Sequence, residues 1–407
     1  MRVHERFIDY VKYDTTSDPF SKTCPSTDSQ MIFAEYLVEQ MKEIGINNAY
    51  VDEHGYVYGF IDAKPGCENV EAVGFIAHMD TSDAVSGKNI KPRIISSYDG
   101  KDIVLNNELA IVMEVEKYPH LKNYAGHDLI VTDGTTLLGV DDKAGIAEIL
   151  NMAEALINNE SIKHGRICIA FTPDEEIGRG ADLFDVKKFH ASYAYTVDGG
   201  PLGDIQYENF NAASADITVT GLSVHPGGAK NVMKNAILIG YEFNSMLPCN
   251  ETPQYTEKKE GFHHLHHISG TEEKLQMKYI LRDHDYSKLS KKKEHFKTVS
   301  EFINNVYGKD TIVMDIKDTY LNMAEMLKPH MHIIERANRA YAALGYTPTS
   351  HAIRGGTDGA RLSYMGLLCP NIATGGHNAH GRFEYVSINE MEKMVEVLVH
   401  MACDINQ

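Results

Sequence analysis

The chain has 407 residues, of which 43% are hydrophobic and 24% are charged, an ordinary composition for a globular protein. This length allows two domains, or one large α/β domain with an insertion. A formal net charge of −18 argues against nucleic acid or an anionic membrane as a partner. No apolar run approaches the roughly 20 residues that a membrane-spanning helix needs.

The cysteines and the N-terminal residues indicate a reducing compartment. Six cysteines occur without any Cys-x-x-Cys spacing, which argues against both a disulfide framework and a thiolate zinc site. The first residues, Met1–Arg6, open an amphipathic stretch without the apolar segment of a signal peptide. We therefore expect a cytoplasmic protein.

The first elements of the chain are two predicted helices and a hairpin. Helical periodicity is present around Glu5–Tyr13, and a second helix ends at Gly45, a typical C-terminal cap residue. Val51–Ile61 has the pattern of a hairpin. Residues 84–136 are polar, with short strand-like pieces and no strong period, which predicts a loop-rich segment.

Between the hairpin and that segment, the apolar run Ala72–Asp80 predicts a buried strand that ends in His78 and Asp80. Because the two residues are two positions apart in an extended chain, their side chains point to the same side. The alternative is a core strand that ends at the surface.

Two adjacent acids, Asp141 and Asp142, stand where the next helical periodicity begins. Aspartate is favoured at a helix N-terminus as a cap and by the macrodipole. Capping explains one of the two acids and leaves the second for another role.

Three further short apolar strands are each followed by acids or histidines. Arg166–Phe171 precedes Glu175 and Glu176, Tyr193–Val197 precedes Asp198, and Leu367–Ala373 precedes His377 and His380. Strands that alternate with helices predict an α/β fold with a mostly parallel sheet covered by helices on both faces. Ligands of such sheets bind beyond the carboxyl ends of the strands.

The pattern changes between residues 208 and 320, where alternating strands and two helices predict an α+β domain of two helices on an antiparallel sheet. We interpret 208–320 as a small inserted domain of the lid or dimerisation type. Residues 1–207 and 321–407 then form the catalytic, metal-binding domain.

Taken together, the acids and histidines at the strand ends predict a metal site. Its expected ligands are His78, Asp141, Glu176, Asp198 and His380. Nitrogen and oxygen donors without sulfur suit zinc, cobalt or manganese. Five ligands are too many for one open catalytic zinc, but they suffice for two ions if Asp141 bridges them.

Two more acids would then have catalytic roles. A paired metal centre polarises a carbonyl and activates water, which is the chemistry of amide hydrolysis. Glu175, adjacent to a ligand but free, is expected to act as general base and proton shuttle. Asp80 is expected to accept the second N–H of His78 and to orient its ring.

These segments resemble the co-catalytic di-zinc exopeptidase family, which includes carboxypeptidase G and the succinyl-diaminopimelate desuccinylases. The resemblance rests on His78–Asp80, Gly139–Gly145, Asp174–Gly178, Val197–Gly199 and the His380 region, and it spans essentially the whole chain. It implies two zinc ions per chain, with cobalt or manganese as substitutes, and a cis peptide bond after Asp141. It also favours His380 over His377 as the ligand.

The resemblance further implies three substrate-binding residues. His225 matches a family histidine that reaches the substrate carbonyl oxygen, and Arg282 matches a position that holds a substrate carboxylate. As alternatives, His225 before a proline is a plausible turn residue, and Arg282 a plausible surface ion-pair partner. Arg354 lies in a glycine-rich loop whose backbone could approach the substrate.

The activity that the resemblance implies is a metal-dependent aminopeptidase that releases the N-terminal residue of tripeptides. A dipeptidase or an N-acyl amino acid deacylase on the same scaffold is the alternative enzyme. A binding protein without catalysis is a further alternative, but binding alone requires no general base at Glu175. The expected partners are small peptides, and the sequence leaves open whether the chain is a monomer or a homodimer.

Overall fold

The computed structural model describes residues 1–404. Its α-helices are α1 (Val3–Tyr10), α2 (Asp28–Glu43), α3 (Val140–Asn158), α4 (Val186–Phe189), α5 (Ala236–Ser245), α6 (Tyr286–Tyr307), α7 (Ala324–Leu327), α8 (His332–Ala343), α9 (Asp358–Tyr364) and α10 (Ile388–Cys403). Within the described part of the chain, none of these helices combines the length and the apolar content that a membrane crossing requires.

The strands, also in chain order, are β1 (Tyr50–Val51), β2 (Val57–Ile61), β3 (Val73–His78), β4 (Arg93–Ile95), β5 (Ile103–Asn106), β6 (Ile111–Met113), β7 (Leu129–Val131), β8 (Ile167–Thr172), β9 (Tyr193–Val197), β10 (Ile205–Gln206), β11 (Asn211–Thr220), β12 (Phe262–Gly270), β13 (Lys274–Asp283), β14 (Ile312–Tyr320), β15 (Asn371–Ile372), β16 (Gly376–His377) and β17 (Tyr385–Ser387).

The contacts within the chain define two compact units. Unit 1 contains residues 1–207, 325–351 and the described residues from 357 on, and unit 2 contains residues 208–324 and 352–356.

Unit 1 is built on a seven-stranded sheet with the order β1-β2-β8-β3-β9-β15-β10. The central strands β8, β3, β9 and β15 are parallel, and the outer strands pair antiparallel. Every residue of β3, β8 and β9 is buried, as expected for parallel strands covered on both faces.

Helices pack on both faces of this sheet. Ile76 of β3 packs with Phe189 of α4 and Leu362 of α9 in one apolar cluster. Helix α3 packs on β3 and β9 and contacts α1 and α10. The predicted α/β fold with a mostly parallel sheet is confirmed.

The segment 84–136 is rich in loops and contains a few short strands. Strands β4 and β7 join β17 and β16 in a four-stranded antiparallel sheet, and β5 and β6 form a separate pair. Strands β4, β6 and β7 have only three residues each. Short strands separated by longer loops are what a polar sequence with short strand-like pieces predicts, so the prediction of a loop-rich segment is confirmed here.

Unit 2 contains a four-stranded antiparallel sheet with the order β12-β13-β11-β14. Helices α5 and α6 pack on it through an apolar core that includes Ile217, Met277, Phe243 and Phe296. The predicted arrangement of two helices on an antiparallel sheet is confirmed for this unit.

The contact between α3 and β9 leaves no space for a side chain at Gly145. A Cβ atom built there would lie 2.0 Å from the backbone carbonyl oxygen of Val197, the residue before Asp198. Glycine therefore permits the close approach of helix and strand beside the predicted metal ligands.

We expect Gly145→Ala to lower the free energy of unfolding by about 1–3 kcal/mol, because the helix has to move away from the strand. Urea unfolding monitored by circular dichroism measures this change. Gly228→Ala is the matched control, since a Cβ atom at Gly228 meets nothing within 4 Å. Equal midpoints for the two variants would contradict the close-packing argument.

Candidate metal centre

The carboxyl ends of three parallel strands bring the predicted ligands together in unit 1. His78 is the last residue of β3 and pairs in register with Thr172, the last residue of β8. The turn that carries Glu176 follows β8, and Asp198 directly follows β9. Because parallel strands end at the same edge of a sheet, side chains distant in sequence become neighbours.

Two groups of three potential ligands result, and they share one residue. His78, Asp141 and Asp198 form the first group, and Asp141, Glu176 and His380 form the second. Within each group the candidate ligand atoms all lie within 4.8 Å of one another. Of the two histidines in the C-terminal segment, His380 belongs to a group, whereas His377 lies 2.5 Å from the hydroxyl group of Tyr124.

Asp141 stands between two histidines. Its Oδ1 lies 2.8 Å from Nε2 of His78, and its Oδ2 lies 3.1 Å from Nε2 of His380. The peptide bond between Asp141 and Asp142 is cis, as the resemblance implies. A carboxylate whose two oxygens face different imidazoles has the arrangement that a ligand bridging two metal ions requires.

The donor set and one unpaired atom fit a metal centre. Oε2 of Glu176 lies 2.8 Å from Nε2 of His380, whereas its Oε1 is buried without a hydrogen-bond partner among residues 1–404. A buried carboxylate oxygen without a partner is costly unless a cation or water satisfies it. Imidazole and carboxylate donors suit zinc, cobalt and manganese.

Neighbouring groups and burial strongly shift the pKa values of these candidate ligands. Burial by itself would lower the pKa of His78, but its hydrogen bonds to Asp141 and Asp80 raise it well above the usual value. Hydrogen bonds to Asp141 and Glu176 raise the pKa of His380 to about 11. Burial raises the pKa of Asp198. Without metal, a pKa of about 11 keeps His380 protonated at neutral pH, and ligation has to displace that proton.

Asp80 is fully buried and contacts the turn that follows β8. Its carboxylate accepts hydrogen bonds from the backbone N–H groups of Glu175, at 2.9 Å, and Glu176, at 3.1 Å. Nδ1 of His78 lies 3.0 Å from the backbone carbonyl oxygen of Asp80 and 3.4 Å from its carboxylate. Asp80 thus joins the end of β3 to the turn that contains Asp174, Glu175 and Glu176, hereafter the acidic turn.

The acidic turn is held on its other side by residues that the sequence analysis did not identify. Asp174, which has a φ of 60°, accepts hydrogen bonds from the backbone of Ser26 and the side chain of Gln30. The side-chain Oε1 of Gln30 accepts a hydrogen bond from the backbone N–H of Asp174 in return. Gln30 lies on α2, and no local pattern signals such a contact. Glu175 follows Asp174 directly, and burial raises its pKa.

The three predicted substrate-binding residues belong to unit 2. His225 is exposed and accepts the backbone N–H of Gly227. Arg282 is half-buried, donates to the carbonyl oxygens of Ala213 and Leu281 and lies over the Tyr320 ring.

Arg354 has a different environment within unit 2. Its guanidinium group donates to the backbone carbonyl oxygens of Thr256, Lys258 and Glu260. The same group lies over the rings of Phe210 and Phe262. These contacts give Arg354 a structural role in unit 2, and its role in substrate binding stays a prediction.

A cavity of about 340 Å³ adjoins the paired groups in unit 1. Its lining residues include Asp141, Asp198, Gly199, Gln206 and His377. A cavity wall in which small residues expose the backbone beside charged groups suits a ligand that forms polar contacts with the main chain.

Paired carboxylate and imidazole groups at the end of a parallel sheet define a candidate metal-dependent hydrolase. Residues 127–404 match peptidase family M20/M25/M40. The chain belongs to this family and is therefore a peptidase.

Curated relatives agree with this membership, and solved structures agree with the fold. Peptidase T of Caldanaerobacter subterraneus is 55% identical over 398 residues, which cover 98% of this chain and 97% of that protein. The structure of aminopeptidase PepT from Bacillus cereus has a TM-score of 0.78 at 23% identity, with 100% of this chain and 98% of that one covered. A tripeptidase from Staphylococcus aureus has the same TM-score at 21% identity, with 99% and 98% covered.

We expect metal binding to release at least one proton per chain between pH 6 and 8. His380, with a pKa of about 11, is charged throughout this range, and only a neutral imidazole can bind a metal. The apparent affinity should therefore rise with pH, about tenfold per pH unit for each proton displaced. Calorimetric titration with zinc in buffers of different ionisation enthalpy counts the protons.

The control is His330→Ala, which removes an exposed histidine outside both groups and should leave the proton count unchanged. His380→Ala should lower it. An affinity that does not vary with pH would contradict this account of the site.

Proposed function

We propose that this peptidase is a metal-dependent aminopeptidase that releases the N-terminal residue from tripeptides. The observation that carries the proposal is a pair of three-ligand groups sharing Asp141, with Glu175 beside them and outside both groups. The relatives named Peptidase T support the substrate class, because they match nearly the full length of the chain.

The metal ligands in this proposal are His78 and Asp198 for one ion, Glu176 and His380 for the other, and Asp141 for both. We propose zinc as the metal, with cobalt or manganese as substitutes. When bound, such a pair polarises the scissile carbonyl group and makes water more acidic.

Glu175 is the proposed general base and acid. Its carboxylate takes the proton from the attacking water and delivers it to the nitrogen of the leaving amine. Burial is the main cause that raises the pKa of Glu175. A raised pKa supports this role, because a carboxyl group that has to accept and donate a proton works best when its pKa is closer to the ambient pH.

Asp80 supports this chemistry from behind the ligands. Its carboxylate holds the backbone of both Glu175 and Glu176, and its contacts with Nδ1 of His78 favour ligation through Nε2. One buried carboxylate would thus orient a ligand and the base together.

Unit 2 is proposed to select substrates by their length. We assign Arg282 to the C-terminal carboxylate of the peptide, because a guanidinium group binds a carboxylate with two parallel hydrogen bonds. His225, with an exposed imidazole, is assigned to the carbonyl oxygen of the substrate. Residues 208–320 are accordingly proposed to form an inserted lid or dimerisation domain.

The cytoplasm is the proposed location. All six cysteines are unpaired, which supports a reducing compartment. Small peptides are the proposed partners, in accordance with the negative charge of the chain.

We expect Glu175→Gln to lower kcat by about 10²–10⁴-fold, the usual contribution of a general acid–base group. The metal content should remain that of the wild type, since Glu175 is not among the proposed ligands. Turnover of a tripeptide and elemental analysis of the same sample measure the two quantities. Glu160→Gln, a change at an exposed glutamate, is the control. Loss of metal together with unchanged residual turnover would exclude Glu175 as the base.

A peptide series on zinc- or cobalt-loaded protein tests the substrate. Among free peptides of two, three and four residues, we expect cleavage of the tripeptide alone, with release of its N-terminal residue. Amidation of the C-terminus and acetylation of the N-terminus should both abolish cleavage. Cleavage of the acetylated peptide, or of the dipeptide only, would instead identify a deacylase or a dipeptidase.

In the same series, Arg282→Ala should raise KM for the free tripeptide by about 10–100-fold, the effect of losing a charged hydrogen bond. Lys278→Ala is the matched control, because Lys278 is an exposed cation on the same strand, β13. An Arg282→Ala enzyme with unchanged KM would show that another group measures substrate length.

A further inference from the structure

Glu384 joins the two segments of unit 1 that carry Asp141 and His380. It follows His380 by four residues and is 2% exposed. Its Oε2 accepts the backbone N–H groups of Leu138 and Gly139, both at 2.7 Å, and its Oε1 accepts that of Asp141 at 3.1 Å. The carboxylate is therefore bound to the main chain of the Asp141 turn at three points.

The conformation of Gly139 makes this arrangement possible. Gly139 has a φ of 80° and precedes α3. This left-handed conformation, which glycine adopts without strain, lets nearby N–H groups point to one side and form a concave anion site. These N–H groups stand at a helix start, where they have no acceptor within the helix.

The segment between His380 and Glu384 is braced internally. The side-chain amide of Asn378 donates to the carbonyl oxygen of Phe383 at 2.9 Å. The backbone N–H of Glu384 donates to the carbonyl oxygen of Gly381 at 3.2 Å. Asn378 and His380 both have a left-handed φ. A movement of Glu384 would therefore move the segment that holds the His380 ring.

We infer that Glu384 is a positioning residue of the metal centre, which sets the separation of Asp141 and His380 by tying the turn of one to the segment of the other. The inference rests on the proposed metal ligands. Nε2 of His380 and Oδ2 of Asp141 are 3.1 Å apart, and an ion between ligands tolerates little error in their positions. Glu384 itself belongs to neither of the two candidate ligand groups.

Glu384→Gln tests this role with little change in shape. The amide has one acceptor oxygen, so its NH₂ group has to face either the N–H of Asp141 or those of Leu138 and Gly139. Two donors facing each other repel, and the turn should shift. We expect the second cobalt ion to bind about 10–100-fold more weakly than in the wild type, the usual effect of losing a group that orients a ligand.

The readouts are cobalt titration of the full-length protein followed by calorimetry, and the visible spectrum of the cobalt-loaded form, which reports ligand geometry. Urea unfolding shows whether the variant folds. Glu384→Asp, which retains the charge at a shorter reach, is a second variant and should weaken the second ion in the same way.

Glu148→Gln is the matched control. Glu148 is a fully buried glutamate on α3, and within the part of the chain that the structure describes its carboxylate has no hydrogen-bond partner. Its substitution can change stability, but it should leave cobalt affinity and the spectrum at their wild-type values.

The possible results separate the two proposals. Wild-type affinity and an unchanged spectrum in both Glu384 variants would overturn the positioning role, and a lower unfolding midpoint alone would then identify Glu384 as a helix cap. Wild-type protein that takes up no second cobalt ion would overturn the proposed paired centre and this role with it. Weakened binding of the second ion in the Glu384 variants but not in Glu148→Gln would support the inference.

Discussion

The carboxylates of Asp141, Glu176 and Asp198 converge on two imidazoles, and their mutual repulsion has to be balanced. His78 and His380 provide part of that balance, since both stand at hydrogen-bonding distance from Asp141. Backbone N–H groups provide another part by binding the acids behind the ligands. Most of the loop geometry around the centre follows from the need to pair buried negative charge.

Two buried acids illustrate how this pairing also shapes the site. The carboxylate of Asp80 is bound by the turn after β8, and that of Glu384 by the turn before α3. Each acid therefore fixes the main chain of a segment that carries a member of the two candidate ligand groups, Glu176 in one case and Asp141 in the other. The parallel strands bring the segments to one edge, and the buried carboxylates determine how the segments are oriented there.

The sequence predicts the positions of the candidate ligands because each one stands at the boundary of a recognisable pattern. His78 ends an apolar strand, Asp198 follows another, and Asp141 begins a helix. The contacts of Gln30 and Glu384 could not be predicted in this way, since they join segments more than 100 residues apart and depend on backbone N–H groups. The short strands within 84–136 were visible only as strand-like pieces, because their pairing with one another and with β17 is tertiary and leaves no periodic trace.

Because of the order of the candidate ligands along the chain, the two three-residue groups are completed at different stages of synthesis. The group of His78, Asp141 and Asp198 is complete once residue 198 has been made, whereas the second group also needs His380. Unit 2 lies between them in the sequence. With the proposed ligands, a growing chain contains the first group long before it contains both. The complete site therefore exists only after nearly the whole chain, unit 2 included, has been synthesised.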